Sequence, residues 1–244
     1  MNLTYFQPIP RRRLVLLGAI LLLAAAAPAP KPPPAERRIL VIGDSQAQGL
    51  AAGLIRLYLR HPEVHVLDRS KIATGLSHAG YDWPASVKKL VASEHADVAV
   101  VMFGANDRPN IRPHGKVDPK LAAAFTAKYA AQVTSIATTL RDAHIPVIWV
   151  GHPQVRDPVF NEDMAMLNGI FLDAATKAGA DFVPIWTVFA GKDGGYDAYG
   201  PGVDGETTRL RADDGVHLNR SGYDVLARYL EMRAEGAGAV AVGK

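Results

Sequence analysis

Short apolar runs alternate with helical patterns from residue 38 to 233, and this alternation limits the possible folds more than any other feature. The runs are residues 39–42, 64–67, 98–103, 147–150 and 182–185. Between them lie helical patterns at about 46–60, 84–94, 120–142 and 164–178, and a last one begins at 221. Leu50, Leu54, Leu57 and Tyr58 make the stripe of an amphipathic helix in the first. Leu167, Ile170, Phe171 and Ala174 share one face of the fourth, and Tyr223, Leu226, Ala227 and Leu230 one face of the last. Short apolar strands separated by helices predict a mainly parallel sheet covered on both faces. Right-handed crossovers then wind it into a three-layer α/β/α sandwich with five parallel strands. No repeat and no linker interrupts residues 38–233, which are read as one domain.

The ends differ from this core. Arg11, Arg12 and Arg13 precede an uninterrupted run of apolar and small residues, 14–27. That is the length of a signal-peptide core and short for a membrane span. Residues 1–27 are therefore expected to be a signal peptide cleaved near Ala26, or else an uncleaved N-terminal anchor giving a membrane tether. Either places the protein in the periplasm or otherwise outside the cytoplasm. Residues 28–37 read as a stiff Pro-rich tether, and the Gly/Ala-rich 234–244 as a flexible tail. The leader also explains the basic balance. Of 27 Lys and Arg, three lie in residues 1–27, which hold no acid, and the remaining 24 equal the 24 Asp and Glu. Nothing then points to nucleic acid. There is no cysteine, so neither a disulfide nor lipidation at cysteine is available. His61, His65, His78, His95, His114 and His144 lack ligand spacing, so no metal and no cofactor is expected.

In a sheet of this kind, ligands bind beyond the carboxyl ends of the strands. The first run is followed by Gly43-Asp44-Ser45, the second by a loop holding Thr74-Gly75-Leu76, and the third by Gly104-Ala105-Asn106-Asp107. Gly151-His152-Pro153 follows the fourth, and the fifth leads through a glycine-rich loop to Asp213-Asp214-Gly215-Val216-His217. Taken singly, Ser45 reads as a plain helix N-cap, Gly75 as a turn, and His152 as an incidental loop histidine. Trp83 and Trp149 read as core. Residues 191–205, with six glycines, read as a mobile wall of the cleft or an ordinary surface excursion.

Together, Gly-Asp-Ser, a lone glycine, Gly-x-Asn-Asp and Asp-x-x-His resemble the blocks of the SGNH (GDSL-type) hydrolase superfamily, in the same order and spanning residues 43–217. Thr74-Gly75-Leu76, Tyr81-Asp82-Trp83-Pro84, Phe103-Gly104-Ala105-Asn106-Asp107-Arg108 and the 211–217 segment look like an exported bacterial subgroup of poorly defined function. The resemblance implies a flavodoxin-like sandwich and a serine esterase. Two positions depart from the pattern. Gln46 stands where the superfamily usually has leucine, and Pro109 where this subgroup would have a polar residue.

Elementary chemistry supports the same roles. A serine hydroxyl needs a base to become a nucleophile. His217 is the candidate base, and Asp214 can turn back onto its other ring nitrogen. Asp213 competes for that role but lacks the Asp-x-x-His spacing. Oxyanion donors would be the N–H of Ser45, the N–H of Gly75, where glycine lets the backbone approach substrate, and the side-chain amide of Asn106. Asp44 and Asp107 are expected to hold loops through backbone N–H groups. Three functions follow: an esterase removing a short acyl group, acetyl by preference, from an envelope carbohydrate; an O-acetyltransferase using the same residues; and a non-catalytic glycan-binding module. Tyr81, Trp83, Tyr196 and Tyr199 could offer flat faces to a sugar.

Overall fold

A computed structural model of the chain describes residues 35–77 and 80–236. The expected leader, residues 28–34 of the tether and residues 237–244 of the tail lie outside them. Strand β1 (Arg37–Gly43) runs through the first apolar stretch and is followed by α1 (Ser45–Leu57). Then come β2 (Val64–Asp68), α2 (Trp83–Glu94), β3 (Val98–Met102), α3 (Pro119–Asp142), β4 (Val147–Val150), α4 (Pro158–Lys177) and β5 (Asp181–Val183). A small hairpin, β6 (Tyr199–Pro201) and β7 (Thr207–Arg209), precedes α5 (Arg220–Gly236). Among the described residues, no helix is long and apolar enough to cross a membrane.

The helices begin where acceptors are supplied. Asp44, Asp82, Asp118 and Asp157 cap α1 to α4, each accepting a backbone N–H of the first turn. Proline stands in the first turn of α2, α3 and α4, where its missing N–H is no loss. The cap of α1 is Asp44, so Ser45 is the first helical residue and not the cap that its position suggests.

The strands order as β2-β1-β3-β4-β5, all parallel. This is the flavodoxin-like order, whose direction of winding reverses between β1 and β3. Alternate residues of β1 face opposite layers. Ile39 and Val41 pack toward α1 and α5 with Leu50, Leu54, Leu226 and Leu230. Leu40 and Ile42 pack toward α2, α3 and α4 with Val87, Val133, Ile136, Leu167 and Phe171. Trp83 and Trp149 are buried on that second side, so Trp83 is not a sugar platform. Gly43 closes β1 with φ +146°, and a Cβ there would overlap the Met102 carbonyl of β3. Glycine is required at that close approach.

Two expected boundaries move. Arg37 belongs to β1 rather than the tether, because its N–H donates to the Glu63 carbonyl at 2.7 Å and it pairs with Val64. Helix α5 continues through residues 234–236, past the expected start of the tail. In the segment 191–205, the Gly191 N–H donates to the Gly195 carbonyl and Ala190 bridges Tyr196. The chain then enters the β6–β7 hairpin, whose end is anchored by the buried Leu210.

Candidate active site

Ser45 opens α1 immediately beyond β1, at the carboxyl edge of the sheet. The N–H groups of a helix's first turn have no intrahelical acceptor. One of them is used: the Gln46 N–H donates to Asp44 Oδ1 at 2.9 Å. Asp44 Oδ2 accepts from the Gly104 N–H at 3.2 Å, which ties the end of β1 to the loop after β3. Asp44 is fully buried. Burial pushes its carboxyl up to about 7, against the pull of the Gln46 N–H, and the neighbouring Asp107 adds to the rise.

The histidine comes from the loop before α5. Asp214 Oδ1 accepts from the N–H groups of Val216 (2.8 Å) and His217 (2.9 Å), and Gly215 between them is left-handed at φ +73°. This tight turn is what the Asp-x-x-His spacing encodes. It brings Asp214 Oδ2 to 2.6 Å from His217 Nδ1. Burial alone would raise the Asp214 carboxyl, but the two N–H groups and the imidazole outweigh it and hold the group below its usual range. His217 Nε2 lies 2.7 Å from Ser45 Oγ. With Nδ1–H donating to Asp214, Nε2 offers its lone pair to the serine hydroxyl. Asp213 does not compete. Its carboxylate pairs with Arg209, and its carbonyl accepts from Arg156 at 3.0 Å.

The glycine loop is fastened to the loop after β3. Asn106 Nδ2 donates to the Thr74 carbonyl at 2.8 Å. Asp107 is fully buried beneath and accepts from the N–H groups of Leu76 (3.0 Å) and Ser77 (2.8 Å), the Ser77 hydroxyl (2.7 Å) and the Tyr129 hydroxyl (2.8 Å). Thr74 Oγ1 donates to the Lys71 carbonyl and accepts from Trp83 Nε1 at 3.1 Å. Gly75 has a further reason to be glycine. A Cβ there would overlap the Asp107 carboxylate, so its bareness serves the loop anchor. Asp44 and Asp107 both hold loops through backbone N–H groups.

The remaining candidates separate. His152 is buried, with Nδ1 2.9 Å from the Pro153 carbonyl, and burial pushes its imidazole down to about 4. It is a neutral core residue. The Tyr196 ring is covered by the guanidinium groups of Arg211 at 4.8 Å and Arg156 at 5.8 Å, and its hydroxyl is buried. Tyr81 carries the Lys71 ammonium 4.2 Å over its ring and lines a cavity of about 510 Å³ with Leu76, Ser77, Lys128, Gln132 and Ser135. A second cavity of about 250 Å³ shares Leu76, Ser77, Lys128 and Gln132 and adds Arg108, Asn110, Phe125 and Tyr129. Both thus touch the two residues that follow Gly75. Tyr199 is exposed on β6.

Sequence reasoning missed a buried polar group behind the site: Gln46, Gln154 and Arg211. Only Gln46 carried a signal, as a polar residue where leucine is usual. It also missed Asp163, a buried carboxylate that pairs with Arg108 at 3.2 Å and with Arg112, fixing the loop after Asn106 against α4. Among the described residues, no group of three or more His, Asp or Glu is placed to hold a metal.

A family model described as protein of unknown function (DUF459) matches residues 38–233. The chain belongs to this family. No curated protein matches it in sequence. This DUF459 protein is similar in structure to a GDSL-like lipase from Bacteroides thetaiotaomicron, with a TM-score of 0.57 and 16% identity over 82% of this chain and 89% of that one. It is also similar to a catalytic mutant of Axe2, an acetylxylan esterase from Geobacillus stearothermophilus, with a TM-score of 0.57 and 16% identity over 82% of this chain and 94% of that one. At these identities the likeness establishes the fold. The DUF459 chain has the SGNH (GDSL-type) hydrolase fold that its four sequence blocks resemble.

Proposed function

We propose that the protein is a serine esterase that removes a short acyl group, acetyl by preference, from a carbohydrate of the cell envelope. The observation that carries this reading is the relay from Ser45 Oγ to His217 Nε2 at 2.7 Å and from His217 Nδ1 to Asp214 at 2.6 Å. His217 takes the Ser45 proton as Oγ bonds to the ester carbonyl carbon. The carbonyl oxygen becomes an oxyanion, for which the N–H groups of Ser45 and Gly75 and the Asn106 amide are the donors. Collapse breaks the bond to the sugar oxygen, which leaves with the proton from His217. A water molecule, deprotonated by the same imidazole, then attacks the acyl-enzyme and frees Ser45. Asp214 fixes the imidazole tautomer, and its low proton affinity suits it to remain charged beside an imidazolium.

The substrate reading rests on the walls beside Gly75. Both cavities there mix hydroxyl, amide and ammonium groups with aromatic and aliphatic side chains, a lining that suits a sugar. The acetylxylan esterase of the same fold acts on an acetylated carbohydrate. Export supports an envelope substrate and rests on Arg11, Arg12, Arg13 and the apolar run 14–27.

A fluorophosphonate probe should label Ser45 and no other residue. Ser45→Ala and His217→Ala should each remove nearly all turnover of an activated acetyl ester, because nucleophile and base act as one unit. Wild-type rates in Ser45→Ala would end the proposal. Product analysis with a sugar acceptor present reads whether water or a sugar hydroxyl takes the acyl group. For export, N-terminal sequencing of envelope material should give a start near Ala27 or an intact anchored chain. A full-length, freely soluble cytoplasmic protein would contradict it.

A further inference from the structure

The bond between Ser45 and His217 has a neighbour. One residue on, Gln46 Nε2 donates to the carbonyl of Val216, one residue before His217, at 3.2 Å. The two contacts form adjacent rungs between the first turn of α1 and the histidine loop. The Val216 carbonyl takes a second donor, Arg211 Nη2, at 3.1 Å.

Both donors are held from behind. Gln46 Oε1 accepts from the Tyr223 hydroxyl of α5 at 2.9 Å. Burial raises the proton affinity of that hydroxyl, so it stays a donor. Arg211 Nη2 also donates to the Gln154 carbonyl after β4 at 2.6 Å, and its guanidinium rests on the Tyr196 ring. Gln154 in turn donates to the Gly194 carbonyl at 2.7 Å. A buried polar chain thus runs from α5 through α1 to the histidine loop and on to the loop after β4.

Such a chain is a poor way to gain stability. Gln46 and Arg211 are fully buried, and Arg211 Nε and Nη1 have no hydrogen-bond partner among the described residues. Buried amides and cations cost free energy that apolar side chains of similar size would not. What directed hydrogen bonds supply is a fixed direction and distance. The Arg156 N–H ties the loop at the Gly215 carbonyl at 2.9 Å, but the side chains of Asp214 and His217 remain 48% and 33% exposed, and it is Gln46 and Arg211 that hold the carbonyl next to His217.

We propose that Gln46 and Arg211 are positioning residues that hold the His217 imidazole on Ser45 through the Val216 carbonyl. This rests on the serine-hydrolase reading of the site. The decisive variants are Gln46→Met and Arg211→Met, close in size and without the donors, with Arg211→Lys as the conservative rescue. Turnover of an activated acetyl ester by Gln46→Met should fall by on the order of 10²-fold in kcat at unchanged KM, the scale of a small misplacement of a reacting group. Labelling of Ser45 by a fluorophosphonate should slow by the same factor, and Arg211→Lys should recover most of what Arg211→Met loses. Independently of turnover, the low-field proton resonance of the His217–Asp214 bond should be sharp in the wild type and shifted or broadened in Gln46→Met. Wild-type kcat with an unchanged resonance, or a loss confined to KM, overturns the proposal. Should Gln46→Met fail to fold, Tyr223→Phe removes only the hydroxyl that orients the Gln46 amide. A fall in its kcat at constant KM supports the proposal and wild-type kcat overturns it. Failure of the hydrolase reading has a different signature, full turnover in Ser45→Ala.

Discussion

Asp44 shows how one residue near the nucleophile links the fold to pH. Its carboxyl is buried and rises to about 7, from a value near 3.8 in the unfolded chain. The folded protein therefore holds a proton there over a pH range in which the unfolded chain has lost it. The resulting stabilisation is complete below the unfolded value and is lost as pH rises through about 7. Between the two values the loss approaches about 1.4 kcal/mol per pH unit for this one group. Asp44→Asn cannot titrate, so the difference in stability between wild type and variant should shift against the wild type from pH 4 to pH 7. Denaturant melts across that range read it, and a constant difference would show that Asp44 keeps one charge state throughout. At this scale the sequence was legible where a backbone turn imposes spacing. Asp214 and His217 stand three apart because one carboxylate must cap two N–H groups and still reach Nδ1. It was not legible where the partner is a carbonyl. Val216 offers the acceptor for Gln46 and Arg211, and a backbone carbonyl looks the same at every position. Gly75 was legible as special, but the carboxylate it admits belongs to Asp107, 32 residues away, and only the fold brings the two together.

The contact between α1 and α5 bears directly on the site. Helix α1 meets α5 at Gly49 and Gly53, where added Cβ atoms would overlap the Tyr223 ring and its backbone carbonyl respectively. The same Tyr223 orients Gln46. Gly49→Ala should therefore act twice. The better helix propensity of alanine gains about 1 kcal/mol, but forcing a methyl into this contact costs about 1–3 kcal/mol. The net change should lower the Tm by a few degrees, at ~2–4 °C per kcal/mol for a chain of this size. The tyrosine hydroxyl should also be displaced, lowering kcat. A thermal melt with a kcat measurement decides it, and an unchanged or raised Tm would mean that the helices separate without cost. Element types were readable because apolar runs and helical stripes report burial directly. Boundaries were less readable, and the helix expected from about 164 shows it. Asp157-Pro158 is a cap followed by a first-turn proline, and it starts α4 six residues before the apolar stripe begins to show. The β6–β7 hairpin was hidden because Tyr199-Gly200-Pro201 and Thr207-Thr208-Arg209 carry no apolar alternation. These strands lie mostly on the surface.

Across the whole molecule, the sheet order explains why residues from 43 to 217 meet. The winding reverses between β1 and β3, so the loops after these strands diverge to opposite layers and leave a crevice between them. Ser45 stands on one side and Asn106 on the other, and α5 returns along α1 to deliver His217. This convergence could be foreseen from the alternation of strands and helices, since parallel strands put all their carboxyl ends on one edge. What the crevice binds could not be foreseen, because lining depends on where long loops fall. The larger cavity lies beside the Gly75 loop and is lined by Leu76, Ser77, Tyr81, Lys128, Gln132 and Ser135. A long acyl chain gains about 0.8 kcal/mol for each CH₂ it buries against apolar walls. Here hydroxyl, amide and ammonium groups interrupt those walls, so added CH₂ groups stay in water or displace the hydration of polar side chains. Across an ester series from acetate to octanoate with one leaving group, kcat/KM should fall monotonically. A rise of tenfold or more by octanoate would correspond to about 1.4 kcal/mol of added transition-state binding. Such a rise would place the acyl group in an apolar channel and refute the short-acyl reading.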